Sequence, residues 1–282
     1  MIDRSSEPRS LRLHHYSLEA VSTALQRAYE GYAVPVAFTA EALALRIRSE
    51  HVDLSASSML LAPNGDPQGV MLIARRGRRA RLAALGIGPE ARGRGLARAA
   101  VASALQDARR RGDREMVLEV ISTNITARRL YERCGFVAVR TLVGYERLPG
   151  DETPAAAIDE CDPDLVLPLL LEAYPDDPSW QTAPICFAAQ TPPSRAFVFA
   201  GGQAAALLQP AGGTIRLQAF AVAPASRRRG VGRRFMASLL GRLPATTWSI
   251  PAIVPEHMAA GFLAATGWRP TALVQVEMSC RP

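Results

Sequence analysis

Apolar runs and amphipathic stretches alternate along the chain, and their spacing predicts strands and helices in mixed order. In the first half, apolar runs predict strands over residues 10–15, 58–62, 69–76, 81–87 and 116–121, with closing strands over 136–145. Helical spacing predicts helices over 18–31 and 40–49, one that ends at Gly112 and one between Asn124 and Gly135. The pattern is that of an α/β chain with a mixed sheet.

The second half repeats this order less clearly. A helix is expected around 163–174, strands over 195–200, 202–209, 214–222 and 246–250, and a helix over 235–240 that ends at Gly241. Between the halves, the composition of residues 149–156 is typical of a linker. We therefore expect an N-terminal domain over 1–148 and a C-terminal domain over 157–282.

A turn rich in glycine and arginine occurs twice, each time after an apolar run and a proline. The first copy reads Arg92-Gly93-Arg94-Gly95-Leu96-Ala97, and the second reads Arg227-Arg228-Arg229-Gly230-Val231-Gly232. Each copy opens a helix, where the first backbone N–H groups have no intrahelical partner and the helix dipole is positive. Small residues let a phosphate approach this backbone closely, and arginine adds charge, so the turn is suited to bind a pyrophosphate.

The order of motifs from residue 82 to 136 strongly resembles the GCN5-related N-acetyltransferases, the GNAT superfamily. The chain has a strand, the Pro-x-x-Arg-Gly-x-Gly-x-Ala turn, a helix, Leu-Glu-Val, and then Asn-x-x-Ala-x-x-Leu-Tyr-x-x-x-Gly-Phe. The resemblance implies a mixed, mostly antiparallel sheet flanked by helices in each of two tandem domains. It also implies that acetyl-CoA, or another acyl-CoA, binds at the turn with its pantetheine between two splayed central strands.

The resemblance assigns cofactor contacts to the strand before the turn, the turn itself and the following helix. In this sequence these positions are Leu85, Gly86, Ile87, Arg92, Gly93, Arg94, Gly95, Leu96, Ala97, Asn124 and Arg128. A second possible cofactor site comprises Arg227, Arg229, Gly230, Val231 and Gly232. No metal is expected.

Tyr131 is the candidate general acid for the CoA sulfur, because a tyrosine hydroxyl can donate to a thiolate. The general base stays open. Glu119 is a candidate because it is a carboxylate within an apolar strand, although it could equally be the structural partner of an arginine or a backbone amide. Glu50, His51, Asp53 and a chain of water molecules are the alternatives. Asn124 is both an N-cap candidate and a position that the family uses near CoA.

The connection between the first two helices, residues 32–38, forms one wall of the acceptor site in the family. Tyr32 and Phe38 are therefore candidate substrate-binding residues, although a merely buried apolar loop is an equal alternative.

The second copy lacks part of the motif. The turn arginines are separated by 227 − 92 = 135 positions and the helix-ending glycines by 267 − 135 = 132, which indicates a tandem duplication. Aligned on that glycine, Leu263 replaces Tyr131 and Glu256 replaces Asn124. This makes catalysis by the second domain doubtful, while nucleotide binding stays possible.

The formal net charge is +7, and all 33 basic residues are arginine. A basic chain can bind nucleic acid, but no helix-turn-helix, zinc or RNA-binding motif accompanies the arginine clusters. The four cysteines have no metal-ligand spacing, and neither a membrane span nor a signal segment is evident. We therefore expect a cytoplasmic protein that binds neither nucleic acid nor membrane, and that is either a monomer with pseudo-dimeric domains or a homodimer.

Three functional hypotheses follow. The first is an acyl-CoA-dependent N-acyltransferase that transfers acetyl to a primary amine of a small acceptor, with the N-terminal domain active. The second is a mycothiol-synthase-like tandem enzyme with an active C-terminal domain, against which Leu263 argues. The third is a non-enzymatic protein that binds acyl-CoA as a sensor or scaffold.

Overall fold

The structure is a computed structural model that describes residues 9–148 except 33 and 35–37, residue 150, and residues 156–174, 176–188, 190–243 and 247–282. The chain packs as two compact units. Unit 1 comprises residues up to 139 together with 277–282, and unit 2 comprises residues 140–276. The expected linker at 149–156 lies almost entirely outside the described residues and stays a prediction.

Unit 1 contains a mixed, mostly antiparallel sheet. Its strands are β1 Arg9–Arg12, β2 Ser58–Leu61, β3 Pro67–Arg76, β4 Arg79–Ile87 and β5 Glu115–Ile121. They lie in the order β1-β2-β3-β4-β5, and the pairs are antiparallel except β4–β5, which is parallel. A parallel neighbour needs a crossover connection, and the helix between β4 and β5 provides it.

Four helices belong to unit 1, and local sequence sets their ends. They are α1 Leu18–Ala28, α2 Ala40–Glu50, α3 Leu96–Arg111 and α4 Ile125–Arg133. The side chains of Thr39 and Asn124 cap α2 and α4. Each accepts a hydrogen bond from the backbone N–H three residues further along the chain. Gly112 ends α3 at φ 74°, and Gly135 follows α4 at φ 93°, both in the left-handed region that glycine permits. The predictions for Asn124, Gly112 and Gly135 are confirmed.

Unit 2 repeats the arrangement. Its elements are β6 Val137–Arg147, whose residues from 140 on belong to this unit, β7 Ile158–Cys161, α5 Leu167–Ala173, β8 Arg195–Phe199, β9 Ala204–Ala211, β10 Thr214–Val222, α6 Val231–Arg242, β11 Thr247–Pro255, α7 Ala260–Ala265 and β12 Arg269–Cys280, whose residues up to 276 belong to this unit. From β7 to β11 the order is β11-β10-β9-β8-β7, with β10–β11 the parallel pair, and β6 pairs antiparallel with β11. Its core contains Phe197, Phe235, Leu239 and Trp248.

Some local predictions are wrong. The strand expected over 10–15 ends at Arg12, and residues 13–15 form a 3₁₀-helix. The segment expected to supply closing strands over 136–145 forms the single strand β6. Gly241 does not end α6, which continues to Arg242. Because Leu239 and Leu240 are buried in the core on the last turn, packing holds the helix through this glycine.

Both units have a sheet that opens at the same place. The β4–β5 pairing stops after Leu82 and Leu118, although both strands continue for several residues. A β-bulge at Ala83 interrupts the β3–β4 register immediately beyond that point. In unit 2 the β10–β11 pairing stops after Arg216 and Ser249, and the bulge is at Gln218, which is 218 − 83 = 135 positions from Ala83. Each unit therefore contains a parallel strand pair that splays apart beside a bulge.

Candidate active site

The turn after β4 presents a row of unused backbone donors. Gly93 and Gly95 have φ of 75° and 82°, and a Cβ on either glycine would meet nothing within 4 Å. Within the described part of the chain, no acceptor receives a hydrogen bond from the backbone N–H groups of residues 93–98. These groups lie at the N-terminus of the 16-residue helix α3. The turn is therefore an open, positively polarised cradle for an anion.

Arg92, the first arginine of the turn, binds backbone carbonyl groups, whereas a contact with the cofactor phosphate was expected. The Arg92 guanidinium donates to the carbonyl of Ile87 at 2.9 Å and to that of Glu30 at 2.6 Å, with a longer bond of 3.3 Å to Ala28. It therefore ties the end of β4 to the C-terminal end of α1. Arg94 is exposed and is the side chain of the turn that stays available to a phosphate.

The same clamp occurs in unit 2. Arg227 donates to Val222 at 3.2 Å and to Ala173, at the end of α5, at 2.6 Å. No described acceptor receives a hydrogen bond from the backbone N–H groups of residues 228–233. Arg228 replaces Gly93 and keeps φ at 62°, an unfavourable value for a residue with a side chain.

Beyond the bulge, two backbone N–H groups of β4 point toward the gap between β4 and β5, which is called the splay below. The Gly88 N–H donates to Gln68 on β3 at 2.8 Å. Because strand residues alternate with period two, the N–H groups of Leu85 and Ile87 point to the opposite edge, where β5 has moved away. The predicted stretch Leu85-Gly86-Ile87 thus provides donors at the opening of the sheet.

Tyr131 lies on α4 with its side chain buried but its hydroxyl unengaged. No described residue hydrogen-bonds this hydroxyl, and its oxygen is not among the side-chain atoms sealed from solvent. Burial raises the pKa of Tyr131, and the nearby hydroxyls of Tyr29 and Tyr32 raise it further. Tyr131 therefore stays a protonated donor at any physiological pH.

Asn124 joins the predicted acceptor wall to α4. Its side-chain oxygen caps the helix at 3.1 Å from Ala127 N, and its side chain lies near the Tyr32 hydroxyl. The pKa of Tyr32 is raised by burial, which the nearby Asn124 side chain partly offsets. Phe38 contacts Tyr29, with 5.0 Å between ring centroids. Tyr32, Phe38 and Asn124 thus share one neighbourhood, while residues 33 and 35–37 lie outside the described residues.

Tyr29, the residue that follows α1, was not predicted. Its ring lies on the backbone of Gly86, where an added Cβ would be only 2.8 Å from two ring carbons. Burial raises the pKa of Tyr29, and the nearby Leu85 N–H, one of the donors that face the splay, partly offsets this effect. The repeat gave little indication of Tyr29. The corresponding tyrosine of unit 2, Tyr174, is 174 − 29 = 145 positions away, whereas the two turn arginines are separated by 135 positions.

Glu119 is held by an arginine inside the sheet. Arg81 Nε lies 2.7 Å and 3.1 Å from the two carboxylate oxygens of Glu119, and both side chains are 4% exposed. Arg81 also donates to Glu50 at 2.5 Å, and Arg46 donates to Glu50 at 3.1 Å and to the Ala83 carbonyl in the bulge at 2.5 Å. The four side chains form a neutral, buried cluster under the splay.

The cluster fixes the charge of Glu50. Burial alone would raise the pKa of this carboxyl, but Arg46 and Arg81 outweigh burial and lower it to about 2. Of the other base candidates, Asp53 pairs with Arg75 at 3.2 Å, and His51 accepts from Arg76 at 2.8 Å. Burial and the Arg76 charge lower the pKa of His51.

Arg128 is the remaining predicted cofactor residue. One of its terminal nitrogens lies 3.4 Å from the Ser122 carbonyl, while its Nε is sealed from solvent and has no described partner. Such an unsatisfied donor is uncommon in folded proteins.

Unit 2 fills the corresponding region with aromatic rings. Phe220, Phe235 and Phe262 align with Leu85, Ala100 and Leu130. The Phe220 ring stacks on Phe235 with 5.2 Å between centroids and lies tilted against Phe262 at 5.3 Å. A Cβ on Gly232 would be 3.1 Å from the Phe262 ring and 3.3 Å from Val222. Leu263, in place of Tyr131, is buried in the core.

Among the described residues, no group of three or more His, Cys, Asp or Glu side chains could hold a metal ion. Over the same residues, no helix has the length and apolar character needed to cross a membrane.

Comparison with known proteins agrees with this architecture. Residues 19–136 match the family model "Acetyltransferase (GNAT) family". A GCN5-related N-acetyltransferase from Sphaerobacter thermophilus has 16% identity and a TM-score of 0.69, with 100% of this chain and 98% of that one covered. A tandem GNAT protein from the clavulanic acid biosynthesis pathway has 15% identity, a TM-score of 0.68 and 98% of both chains covered.

A third structure, a GCN5-related N-acetyltransferase from Kribbella flavida, has 13% identity and a TM-score of 0.63, with 98% of this chain and 72% of that one covered. No curated protein matches the sequence. At these identities the structural likeness is evidence for the fold, and the family match in unit 1 is evidence for the family. Residues 19–136 therefore match the GNAT family, and the chain over nearly its whole length has the fold of the tandem GNAT protein.

Proposed function

We propose that the protein is an acyl-CoA-dependent N-acyltransferase that uses acetyl-CoA and acts through unit 1. The observation that carries the proposal is the convergence of four features in this unit: the open donor turn, the splayed strands, the outward N–H groups of β4 and the unengaged Tyr131 hydroxyl. The pyrophosphate would bind the N–H groups of residues 93–98, and the pantetheine would lie between β4 and β5.

The chemistry needs donors at two atoms of the thioester. The Leu85 N–H faces the splay and would donate to the carbonyl oxygen as negative charge develops there. The Tyr131 hydroxyl would donate to the sulfur as the C–S bond breaks. Because its pKa is raised above that of a thiol, full proton transfer to the thiolate is uphill, and we expect Tyr131 to stabilise it mainly by a hydrogen bond.

Neither Glu119 nor Glu50, the two carboxylates of the buried cluster, is well placed to serve as the base. Arg81 engages both oxygens of Glu119, and Glu50 is held ionised by two arginines. Because its pKa is lowered, Glu50 is a poor proton acceptor, while both oxygens of Glu119 are occupied by the Arg81 guanidinium. We therefore propose that Glu119 and Glu50 support the splay, and that the amine loses its proton to water before attack. The rate should then rise with pH toward the pKa of the acceptor amine.

The neighbourhood of Tyr32 and Phe38 supports a small acceptor with an apolar part. Tyr32 is half-buried, and the Tyr29 ring lies 5.0 Å from each of the two flanking rings. Aromatic surface of this kind favours contact with a flat or apolar group beside the amine.

The alternative with an active second unit is less well supported. Unit 2 has Leu263 at the position of Tyr131, and Phe262 packs against Gly232, at the start of α6 where the cofactor would pass. An aromatic ring in that position leaves less room than Leu130 does in unit 1. We therefore propose one working site per chain.

Isothermal titration of acetyl-CoA into wild type, Gly95→Glu and Gly230→Glu tests the proposal. Gly95→Glu should abolish binding because its carboxylate would repel the pyrophosphate, whereas Gly230→Glu should leave one site per chain with unchanged affinity. Gly77→Glu is the matched control, because Gly77 has φ 55° and open surroundings in the β3–β4 turn, at the opposite end of β4 from the cradle. Binding that only Gly230→Glu abolishes would assign the cofactor to unit 2 instead.

A further inference from the structure

The β-bulge at Ala83 separates two stretches of β4 whose backbone groups face opposite edges. On β3, the N–H of Arg75 donates to the His51 carbonyl at 3.0 Å and therefore points away from β4. Its β4 partner, Ala80, consequently belongs to a non-hydrogen-bonded pair, and the N–H of Ala80 faces β5. Because backbone direction alternates with period two, the N–H groups of odd-numbered residues of β4 face β3 before the bulge.

Beyond the bulge this alternation is reversed. The N–H of Gly88, an even-numbered residue, donates to Gln68 on β3 at 2.8 Å. The odd-numbered Leu85 N–H therefore faces the splay, where the β4–β5 pairing has ended. The reversal arises because Ala83 is the extra residue of the bulge and has no partner residue on β3 or β5. The bulge is thus the feature that directs the donor of the proposed reaction into the splay.

Arg46 on α2 holds this bulge. One terminal nitrogen of its guanidinium donates to the Ala83 carbonyl at 2.5 Å, and its Nε donates to Glu50 at 3.1 Å. Glu50 also accepts from Arg81 at 2.5 Å, and Arg81 binds Glu119 beside the last paired residues of β4 and β5. A planar guanidinium that is fixed at two of its nitrogens has a defined position. The Ala83 carbonyl is therefore held in one place relative to the root of the splay.

Unit 2 shows that a bulge and a splay form without such a cluster. The registers of the two parallel pairs place Pro251 at the position of Glu119, so one carboxylate is absent. Between α5 and β8, the described residues of unit 2 contain no α-helix that would correspond to α2 and carry Arg46 and Glu50. Buried ion pairs seldom stabilise a fold more than apolar packing does. The cluster of unit 1 is therefore not required to open the sheet.

We propose that Arg46 is a positioning residue that keeps the Leu85 N–H aimed at the thioester carbonyl oxygen by holding the Ala83 carbonyl. This inference rests on the proposed function. Without the bond from Arg46, the peptide groups beside Ala83 can rotate, and the N–H two residues further along turns away from the oxygen. Stabilisation of a developing oxyanion depends steeply on this alignment. Arg46 acts through the backbone of β4 and makes no contact with the acyl group.

Isotope-edited infrared spectroscopy of bound acetyl-CoA labelled with 13C at the carbonyl tests the proposal. In wild type, the carbonyl band should lie at lower frequency than in solution, because a hydrogen bond weakens the C=O bond. Arg46→Met should lose most of this shift. Arg75→Met is the matched control and should keep it, because the Arg75 side chain is similarly exposed, 31% against 26%, and pairs with Asp53 and Asp113 on the other side of the bulge from Leu85. A band in Arg46→Met identical to that of wild type would overturn the proposal.

Titration calorimetry with a pair of ligands separates alignment from packing. S-ethyl-CoA differs from acetyl-CoA at the reacting group by the absence of the carbonyl oxygen. Arg46→Met should weaken acetyl-CoA binding relative to S-ethyl-CoA binding by about threefold to tenfold, as expected for one hydrogen bond. Equal losses for the two ligands would give Arg46 a packing role and overturn the proposal.

Arg46→Lys serves as the test where Arg46→Met does not fold. Lysine keeps the positive charge beside Glu50, but its ammonium lacks the planar fork that binds two acceptors in fixed directions. Arg46→Lys should therefore lose part of the infrared shift, and the full wild-type shift in this variant would overturn the proposal. Failure of wild type to bind acetyl-CoA would overturn the proposed function as well. A shifted band in wild type that the variants leave unmoved overturns the role of Arg46 alone.

Discussion

The buried cluster under the splay should make the stability of the protein fall steeply in acid. The pKa of Glu50 is lowered from 4.5 to about 2 because Arg46 and Arg81 outweigh the effect of burial. The side chain is 14% exposed, so solvent screening is small. The lowering of about 2.5 units, at about 1.4 kcal/mol per unit, corresponds to about 3 kcal/mol of stability carried by the ionised carboxylate.

The direction follows from the lowered pKa. The contribution is fully present above pH 4.5 and is lost as the pH falls from 4.5 to about 2, because the unfolded chain takes up the proton first. At pH 3, about 2 kcal/mol of it should already be gone by this linkage.

Urea denaturation followed by far-ultraviolet circular dichroism measures the effect in wild type and Glu50→Gln. At pH 7 the variant should be about 3 kcal/mol less stable, because two buried guanidinium groups lose an ionised partner. At pH 3 the difference should shrink to about 1 kcal/mol as wild type loses its own contribution. The exposed Glu132→Gln on α4 is the control and should follow wild type at both pH values. A difference between Glu50→Gln and wild type that stays constant from pH 7 to 3 would refute the assignment of this pKa to the cluster.

Three further predictions concern the splay and the turns. Gly86→Ala should displace the Tyr29 ring, because the new methyl would lie 2.8 Å from it, and should lower the stability by about 1–3 kcal/mol in thermal or urea denaturation. Unchanged stability would show that the ring can move freely. Tyr131→Phe should lower kcat about 100-fold in an assay of free-thiol release while the KM for acetyl-CoA changes little, and an unchanged kcat would remove Tyr131 from the mechanism. Arg228→Gly should stabilise the protein by about 0.5–1 kcal/mol because it relieves the φ of 62°, whereas Arg229→Gly, where φ is not positive, should give no gain in a melting experiment.

Features set by neighbouring residues could be predicted from sequence. Asn124 and Thr39 cap their helices, and Gly112 takes a left-handed conformation after α3, because each depends on hydrogen bonds or sterics within a few residues. The β10 strand was predicted with its observed bounds because two turn glycines and a proline limit it.

Features set by packing between distant elements could not be predicted. The sequence presented Glu119 as a carboxylate in an apolar strand but gave no means to choose between a base and a structural partner. The choice depends on Arg81, 119 − 81 = 38 positions away, whose guanidinium reaches it across the parallel pair. Tyr29 was missed because its contact with Gly86 depends on how α1 packs over the sheet.

Arg92 illustrates a different difficulty. A basic residue in a phosphate-binding turn suggests a direct ionic contact, yet here the guanidinium binds carbonyl groups at the ends of β4 and α1. Carbonyl oxygens at a helix C-terminus carry partial negative charge and attract an arginine as a phosphate would. Sequence identifies the charge but not the acceptor that it meets.

The comparison of the two units separates what the turn needs from what catalysis needs. Arg228 keeps the left-handed backbone of Gly93 at an energetic cost, and Arg227 keeps the clamp of Arg92, although Leu263 has replaced the tyrosine of unit 1. The turn therefore persists where the proposed catalytic chemistry has been lost, so a glycine- and arginine-rich turn is evidence for the fold more than for activity. What distinguishes unit 1 is the opening beside the bulge, which aromatic rings fill in unit 2, and the hydroxyl groups that face it.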